Sequence, residues 1–257
     1  MKLKNSDFSY LSAKSLILIS YFPKIENLKS YLSLSKEAFV DHIKKSYGIE
    51  TESQNLDEIL TFDWNNNIKK LKSIIFDEKL YQYFEIEKEY EIIESDKNIF
   101  EKEYEKIKKE LFLLNSSEFF KKFIKLKIDL FNILSFLKHK YFGFSFKYID
   151  GGNLIERIFK LFEKESIQNF IEYINLRYPK TIEKTPELFF ELFEKKRDDL
   201  LINYLKNSKY FVFGPEIVFS FLVLKSFNNV NFRLIYNGII YNLPHEDVLR
   251  RLRVING

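Results

Sequence analysis

The sequence predicts an all-α fold, on three observations. Only 7 glycines and 5 prolines punctuate 257 residues, too few for the turns that a β-sandwich or barrel of this length requires. Apolar residues recur at spacings of three and four over long stretches. Helix-start signals, a proline followed by an acidic residue, precede several of those stretches. Hydrophobic residues make up 46% of the chain and charged residues 30%, enough to fill a sizeable core and to cover its outside.

Between Ile86 and Leu114 apolar side chains fall at Ile86, Tyr90, Ile93, Phe100, Tyr104, Ile107, Leu111 and Leu114, with Lys97 in the one gap. This is the seam of a single long helix of about 45 Å, which needs a partner helix, expected within the same chain. Lys121, Lys122, Lys125 and Lys127 alternate with Phe119, Phe120, Phe123, Ile124 and Leu126; they read as the solvated face of the next helix or, alternatively, as a docking surface. Thr185-Pro186-Glu187 opens a helix with an apolar face from Leu188 to Leu205. Gly214-Pro215-Glu216 opens another, expected to run to about Phe227. The last begins near Pro244, with Glu246 and Asp247 early and Arg250, Arg251 and Arg253 late, as the helix dipole favours. Asn65-Asn66-Asn67 and Gly151-Gly152-Asn153 read as loops. No stretch rich in Gly, Ser or Pro marks a flexible domain boundary.

Chemistry is sparse. The chain contains no cysteine, so disulfides, thiolate nucleophiles and Cys-ligated metals are excluded. His42, His139 and His245 lie far apart, outside any metal-ligand spacing. Gly151-Gly152 completes neither GxxxxGK[ST] nor GxGxxG. The net charge of +4 comes from 41 basic and 37 acidic residues interspersed along the chain, which is not the pattern of a nucleic-acid-binding face. The 28 Phe and 16 Tyr fit an A/T-rich coding bias as well as they fit base stacking. The longest apolar run, Ile217–Leu224, is far short of the ~18 residues of a spanning helix, and no signal-peptide pattern opens the chain. No catalytic, cofactor or metal residue is predicted. Taken alone, these residues describe a helical scaffold or coiled-coil adaptor that binds partners.

A faint internal repeat is present. Ser12-Ala13-Lys14 with Tyr21-Phe22, Asn132-Ile133-Leu134 with Tyr141-Phe142, and Asn231-Phe232-Arg233 with Ile240-Tyr241 align without gaps.

The C-terminal third carries a more specific pattern: Asp198-Asp199-Leu200, Tyr204-Leu205-Lys206, Phe213-Gly214-Pro215-Glu216, Asn231-Phe232-Arg233-Leu234-Ile235, Gly238 and Leu243-Pro244. In order and spacing it resembles the C-type subunit of archaeal and bacterial V/A-type ATPases, whose eukaryotic V-ATPase counterpart is the d-type subunit. Ile128-Asp129-Leu130-Phe131-Asn132-Ile133 with Gly143 resembles that family's second repeat, and Tyr10 to Lys14 echoes its first. The resemblance implies three weakly similar helical units, here about 1–118, 119–217 and 218–257, set around a pseudo-threefold axis as a funnel. It implies a non-catalytic central-stalk connector without cofactor or small-molecule substrate, whose partners are the central shaft subunits and the membrane proteolipid ring. Such a protein is cytoplasmic and reaches the membrane through the complex. Asp129, Asn132, Gly214, Pro215, Asn231, Arg233, Gly238 and Pro244 are the signature positions it marks as structural or partner-contacting. Two departures stand out. The family's acidic residues ahead of Arg233 are replaced by Lys225-Ser226-Phe227-Asn228-Asn229-Val230, and the chain is shorter than the family pattern.

Overall fold

The computed structural model describes residues 5–72, 78–91, 99–178, 189–211 and 214–256. Helices form all the regular structure among them, with one isolated bridge between Lys24 and Asn256 and no strand. The all-α expectation holds. The predicted helix start at Thr185-Pro186-Glu187, its first apolar residue Leu188, and the signature residue Phe213 lie outside the described residues.

The chain divides into two compact units. The first, residues 1–76 and 202–257, contains α1 (Asn5–Ser20), α2 (Ile25–Tyr31), α3 (Lys36–Tyr47), α4 (Leu56–Lys72), α11 (Pro215–Ile240) and α12 (His245–Arg251). Helix α3 shows the local logic. Ser35 caps its first turn by accepting a hydrogen bond from the Ala38 N–H at 3.2 Å, and Phe39, Val40 and Ile43 bury one face. That face joins Leu28, Leu56, Ile59, Leu60, Phe232 and Ile235 in a single core. Helix α11 contributes Phe232 and Ile235 to that core, and its stretch Ile217 to Leu224 is buried all round, as expected of a helix apolar on every face. Among the described residues no helix is long and apolar enough to cross a membrane.

Helix α11 continues 13 residues beyond its expected end near Phe227, to Ile240. Asn228 and Asn229 follow that expected end, and Asn side chains can compete for backbone hydrogen bonds. Here both are buried and occupied elsewhere: Asn228 Nδ2 donates to the Tyr47 hydroxyl at 2.9 Å, and that hydroxyl donates to Asn229 Oδ1 at 3.3 Å. Asn65, Asn66 and Asn67 likewise lie inside α4 rather than in a loop. Asn67 Nδ2 turns back one helical turn to the carbonyl oxygen and Oδ1 of Asp63, and Asn in a helix interior costs less than about 1 kcal/mol.

The second unit, residues 77–201, contains α5 (Glu78–Glu91), α6 (Ile99–Glu110), α7 (Glu118–Phe142), α8 (Glu156–Phe162), α9 (Ile167–Arg177) and most of α10 (Phe189–Leu205). The single long helix expected from Ile86 to Leu114 is two helices, α5 and α6, packed on each other. Lys106 Nζ lies 2.5 Å from Glu87 Oε2; in one continuous helix they would be about 28 Å apart. Ile93 and Lys97 of the expected seam lie outside the described residues. The seam finds its partner inside the chain as expected: Phe100 stacks on Phe131 of α7 with ring centroids 4.8 Å apart. Helix α7 forms the middle of this unit, with Ile133, Phe136 and Leu137 against Phe159, Phe170 and Phe193.

Close packing at Gly238 yields a direct test. A Cβ there would lie 2.8 Å from Val248 Cγ2 of α12. Gly238→Ala should therefore destabilise the chain by about 1–3 kcal/mol. Combining it with Val248→Ala, which opens the space, should recover part of that loss in urea unfolding midpoints.

Candidate functional site

The signature residues build backbone clasps. Asn132, fully buried in α7, donates from Nδ2 to the Ile149 carbonyl oxygen at 2.8 Å and accepts the Ile149 N–H at Oδ1 at 2.9 Å. Asn231, buried in α11, treats Arg253 the same way, at 2.9 and 2.8 Å. Ser12 in α1 stands at the aligned position and clasps Gly214 with one hydroxyl, accepting the Gly214 N–H at 3.1 Å and lying 3.4 Å from the Gly214 carbonyl oxygen. Three aligned residues, on α1, α7 and α11, thus each satisfy both polar groups of one backbone residue outside their own helix. A carboxamide has a donor and an acceptor at matching separation, and a hydroxyl combines both in one atom.

Asp129, one turn before Asn132, is also fully buried. Its carboxyl accepts the Leu154 N–H at 2.8 Å, Asn153 Nδ2 at 2.8 Å and the Tyr178 hydroxyl at 2.5 Å. Burial and the neighbouring Asp129 push the Tyr178 phenol up from its ordinary value. The turn at Gly151-Gly152 closes over this carboxyl: a Cβ on Gly152 would stand 2.3 Å from Asp129 Oδ1. The glycine pair therefore makes room for a side chain of the same unit.

The other marked positions act locally. Gly214 caps α11 and Pro215 occupies its first turn, where a missing N–H costs nothing. Arg233 Nε donates to Asp57 Oδ1 at 2.8 Å, tying α11 to α4. Gly238 admits α12, whose N-cap is Pro244. Asp198, in the same signature, is buried and accepts from Arg197 Nε at 3.1 Å, while Arg197 Nη1 reaches Glu103 of α6 at 2.6 Å.

Two sites of buried charge lie among the helices. In the second unit Lys127, grouped with Lys121, Lys122 and Lys125 as a solvated face, points inward: its Nζ lies 2.7 Å from Glu110 Oε2 and 3.2 Å from Glu87 Oε1. Glu87 also takes Lys106 and the Tyr83 hydroxyl, at 2.5 and 2.8 Å. Burial alone would raise Glu87, but the two ammonium groups outweigh it and hold this carboxyl well below the usual range. Complete burial pushes Glu110 up, to about 7, against the pull of Lys127. The signal was available, since Lys127 lies four residues after Phe123 and four before Phe131, on the apolar face of α7.

In the first unit Lys225 pairs with Asp63 of α4 at 2.6 Å, with both side chains more than nine-tenths buried. The Lys225 ammonium sits 4.2 Å from the centroid of the Tyr47 ring, a desolvated cation–π contact. This pair lines a cavity of about 340 Å³ together with Asn66, Asn67 and Phe221. Lys225 and the two asparagines after it are the same stretch that departs from the acidic family pattern; its polar groups are turned into the fold.

Truncating Asn132 to Ala would strand the Ile149 N–H and C=O in the core. The loss should exceed about 2 kcal/mol and appear as a lower urea midpoint at unchanged slope; Ser12→Ala should cost about 1 kcal/mol. Lys127→Met should cost about 3–5 kcal/mol, because it leaves the buried Glu110 carboxyl without its ammonium partner, while Glu87 keeps Lys106. Adding Glu110→Gln should return part of that loss in a double-mutant cycle, since it removes the one titratable group left without its partner.

The match to a known family bears on the same residues. The model of the ATP synthase (C/AC39) subunit family matches residues 10–251, a span that contains every clasp residue from Ser12 to Asn231 and all the signature positions. No curated protein matches the chain. A match of this extent, on a helical fold built around these positions, shows that the chain belongs to the ATP synthase (C/AC39) subunit family of the V/A-type rotary ATPases.

Proposed function

We propose that this chain is the central-stalk connector of a rotary V/A-type ATPase, joining the shaft to the membrane proteolipid ring and carrying torque between them. The observation that carries this reading is the family match over residues 10–251. The geometry supports it. A torque-bearing part needs helices that do not slide, and α1, α7 and α11 are each locked by a clasp to backbone outside the helix. The three clasps at aligned positions also support three related helical units around a pseudo-threefold axis, forming a funnel. The role is non-catalytic and cytoplasmic, and the membrane is reached through the complex. Exposed aromatic ends on the first unit, Tyr21 at 78% and Tyr241 at 70% exposure, are suited to anchoring partner subunits, because Tyr joins a large apolar ring to a polar tip.

A helical adaptor with no ATPase partner is the second reading, favoured only by the lack of a catalytic constellation in the sequence. Cysteine cross-linking separates the two and tests rotation as well. The chain has no cysteine of its own. Positions 216–225 of α11 are buried and unsuitable, so Tyr241→Cys, at an exposed site, is the handle. In the native complex, a disulfide to a shaft or ring protein should leave ATP hydrolysis and ion pumping intact. One to a stationary component should arrest both, and reduction should restore them. The opposite pattern would make this protein stationary; absence of ATPase components from the native complex would favour the adaptor.

A further inference from the structure

Helix α7 ends in an aromatic tip held in one shape. Gly143 terminates the helix in the left-handed conformation, and the chain then runs back along α7 as far as Ile149. Three side chains of α7 hold that returning segment. His139 Nδ1 donates to the Phe144 carbonyl oxygen at 2.6 Å, Ser135 Oγ accepts the Lys147 N–H at 2.8 Å, and Asn132 clasps Ile149. His139 Nε2 lies 2.9 Å from Glu163 Oε1. With an acceptor on each ring nitrogen the imidazolium form is favoured, and the Glu163 bond followed by the Phe144 carbonyl raises its pKa.

What this scaffold presents is apolar and cationic. Phe142 is 58% and Phe144 60% exposed, with ring centroids 5.9 Å apart. From Leu130 to Ile149 the sequence contains no Asp or Glu. Three carboxylates from elsewhere in the unit come near: Glu163 is engaged with His139, Glu101 with Lys147, and Glu165 with the Asn169 amide. Among the described residues no carboxylate pairs with Lys138 or Lys140. Lys138 lies over the Phe100 ring at 4.6 Å, and Lys140 donates to the backbone carbonyls of Glu163 and Glu165. The tip therefore combines two fixed phenyl rings with a collar of net positive charge.

We infer that the Phe142–Phe144 tip of α7 is an interfacial anchor for an anionic lipid surface, inserting its two rings at headgroup depth while Lys138 and Lys140 meet the phosphates. A protruding pair of phenyl rings without a polar handle fits a deformable apolar medium. Protein hot spots favour Trp, Tyr and Arg, which bring hydrogen bonds with them. Insertion of a few apolar side chains and attraction by a few cations are each weak, and together they give reversible binding that depends on lipid charge and on salt. The preformed loop reduces the ordering cost of insertion. This contact goes beyond the connector reading, which reaches the membrane through protein alone.

Vesicle flotation of the purified full-length chain tests it. At low ionic strength the chain should float with vesicles of phosphatidylcholine mixed with phosphatidylglycerol, and not with phosphatidylcholine alone; added salt should release it. The double variant Phe142→Ser, Phe144→Ser should lower the bound fraction at least about ten-fold, given the apolar area withdrawn. Lys138→Glu should weaken binding and flatten its salt dependence. Leu176→Ser, at another exposed apolar site, should leave it unchanged. Circular dichroism and unfolding midpoints equal to those of the parent would show that the phenylalanine variant is folded. Failure of the parent to float, or equal flotation of the folded phenylalanine variant, overturns the proposal. So does a parent that does not float while the phenylalanine variant loses an ATPase component that the parent retains, which makes the tip a protein interface. Because flotation is read on the isolated chain, its failure leaves the rotor assignment standing, and a failed cross-linking pattern leaves the lipid contact standing.

Discussion

When a chain leaves the end of a buried helix and returns along it, its peptide N–H and C=O groups pass over apolar surface with no strand to bond them. Each such group left bare costs about 1–3 kcal/mol. This protein meets the requirement by placing a carboxamide in the middle of the long helix, opposite the returning residue. Asn132 does so for Ile149 and Asn231 for Arg253. Ser12 satisfies Gly214 with a hydroxyl instead, across 202 positions of the chain. The clasp makes irregular backbone buriable, and it fixes which residue of the return lies opposite which turn of the helix. Much of the surrounding structure follows from it. The Gly151-Gly152 turn must close tightly over Asp129, and Asn256 comes to lie where its side chain caps the Ile19 and Phe22 carbonyls at the end of α1.

Buried charge performs a related task between helices. The Tyr83–Glu87–Lys106–Lys127–Glu110 cluster joins α5, α6 and α7, and Lys225–Asp63 joins α11 to α4. Such pairs contribute little net stability compared with apolar side chains of equal volume, since desolvation offsets most of their attraction. What they impose is register. An axial slip of one residue would leave an ammonium or a carboxylate in apolar surroundings, a larger penalty than a shifted leucine incurs. For a part proposed to carry torque, resistance to slip matters more than total stability.

The aromatic content divides in the same way. Phe131, Phe136, Phe159 and Phe170 form a packed interior, whereas Tyr21, Tyr241, Phe142 and Phe144 stand at helix ends in solvent. A composition rich in Phe and Tyr serves core and contact surface alike, and position in the helix decides which.

Several features were legible from residue order alone. The scarcity of Gly and Pro with three-and-four spacing determined the helical class, and Gly214-Pro215-Glu216 determined where α11 begins, because a cap and a first turn are local. The signature around Asn231 and Gly238 determined the family. Tertiary structure decided the rest. The seam from Ile86 to Leu114 has helical period on both sides of its gap, so the pattern could not distinguish one helix from two folded together; packing against α7 made that choice. Helix α11 was expected to end near Phe227, and it continues because the Tyr47 hydroxyl takes up the side chains of Asn228 and Asn229. Lys127 read as surface because charge normally seeks water, yet it lies on an apolar face where two carboxylates, 17 and 40 residues earlier in the chain, meet it. The signature marked Asn132 and Asn231, but neither their clasps nor that of Ser12 could be read from order, since each partner is defined only by which backbone the fold brings within about 3 Å. Local propensity is written into neighbouring residues. The satisfaction of a buried polar group depends on residues that become neighbours only when the chain has folded.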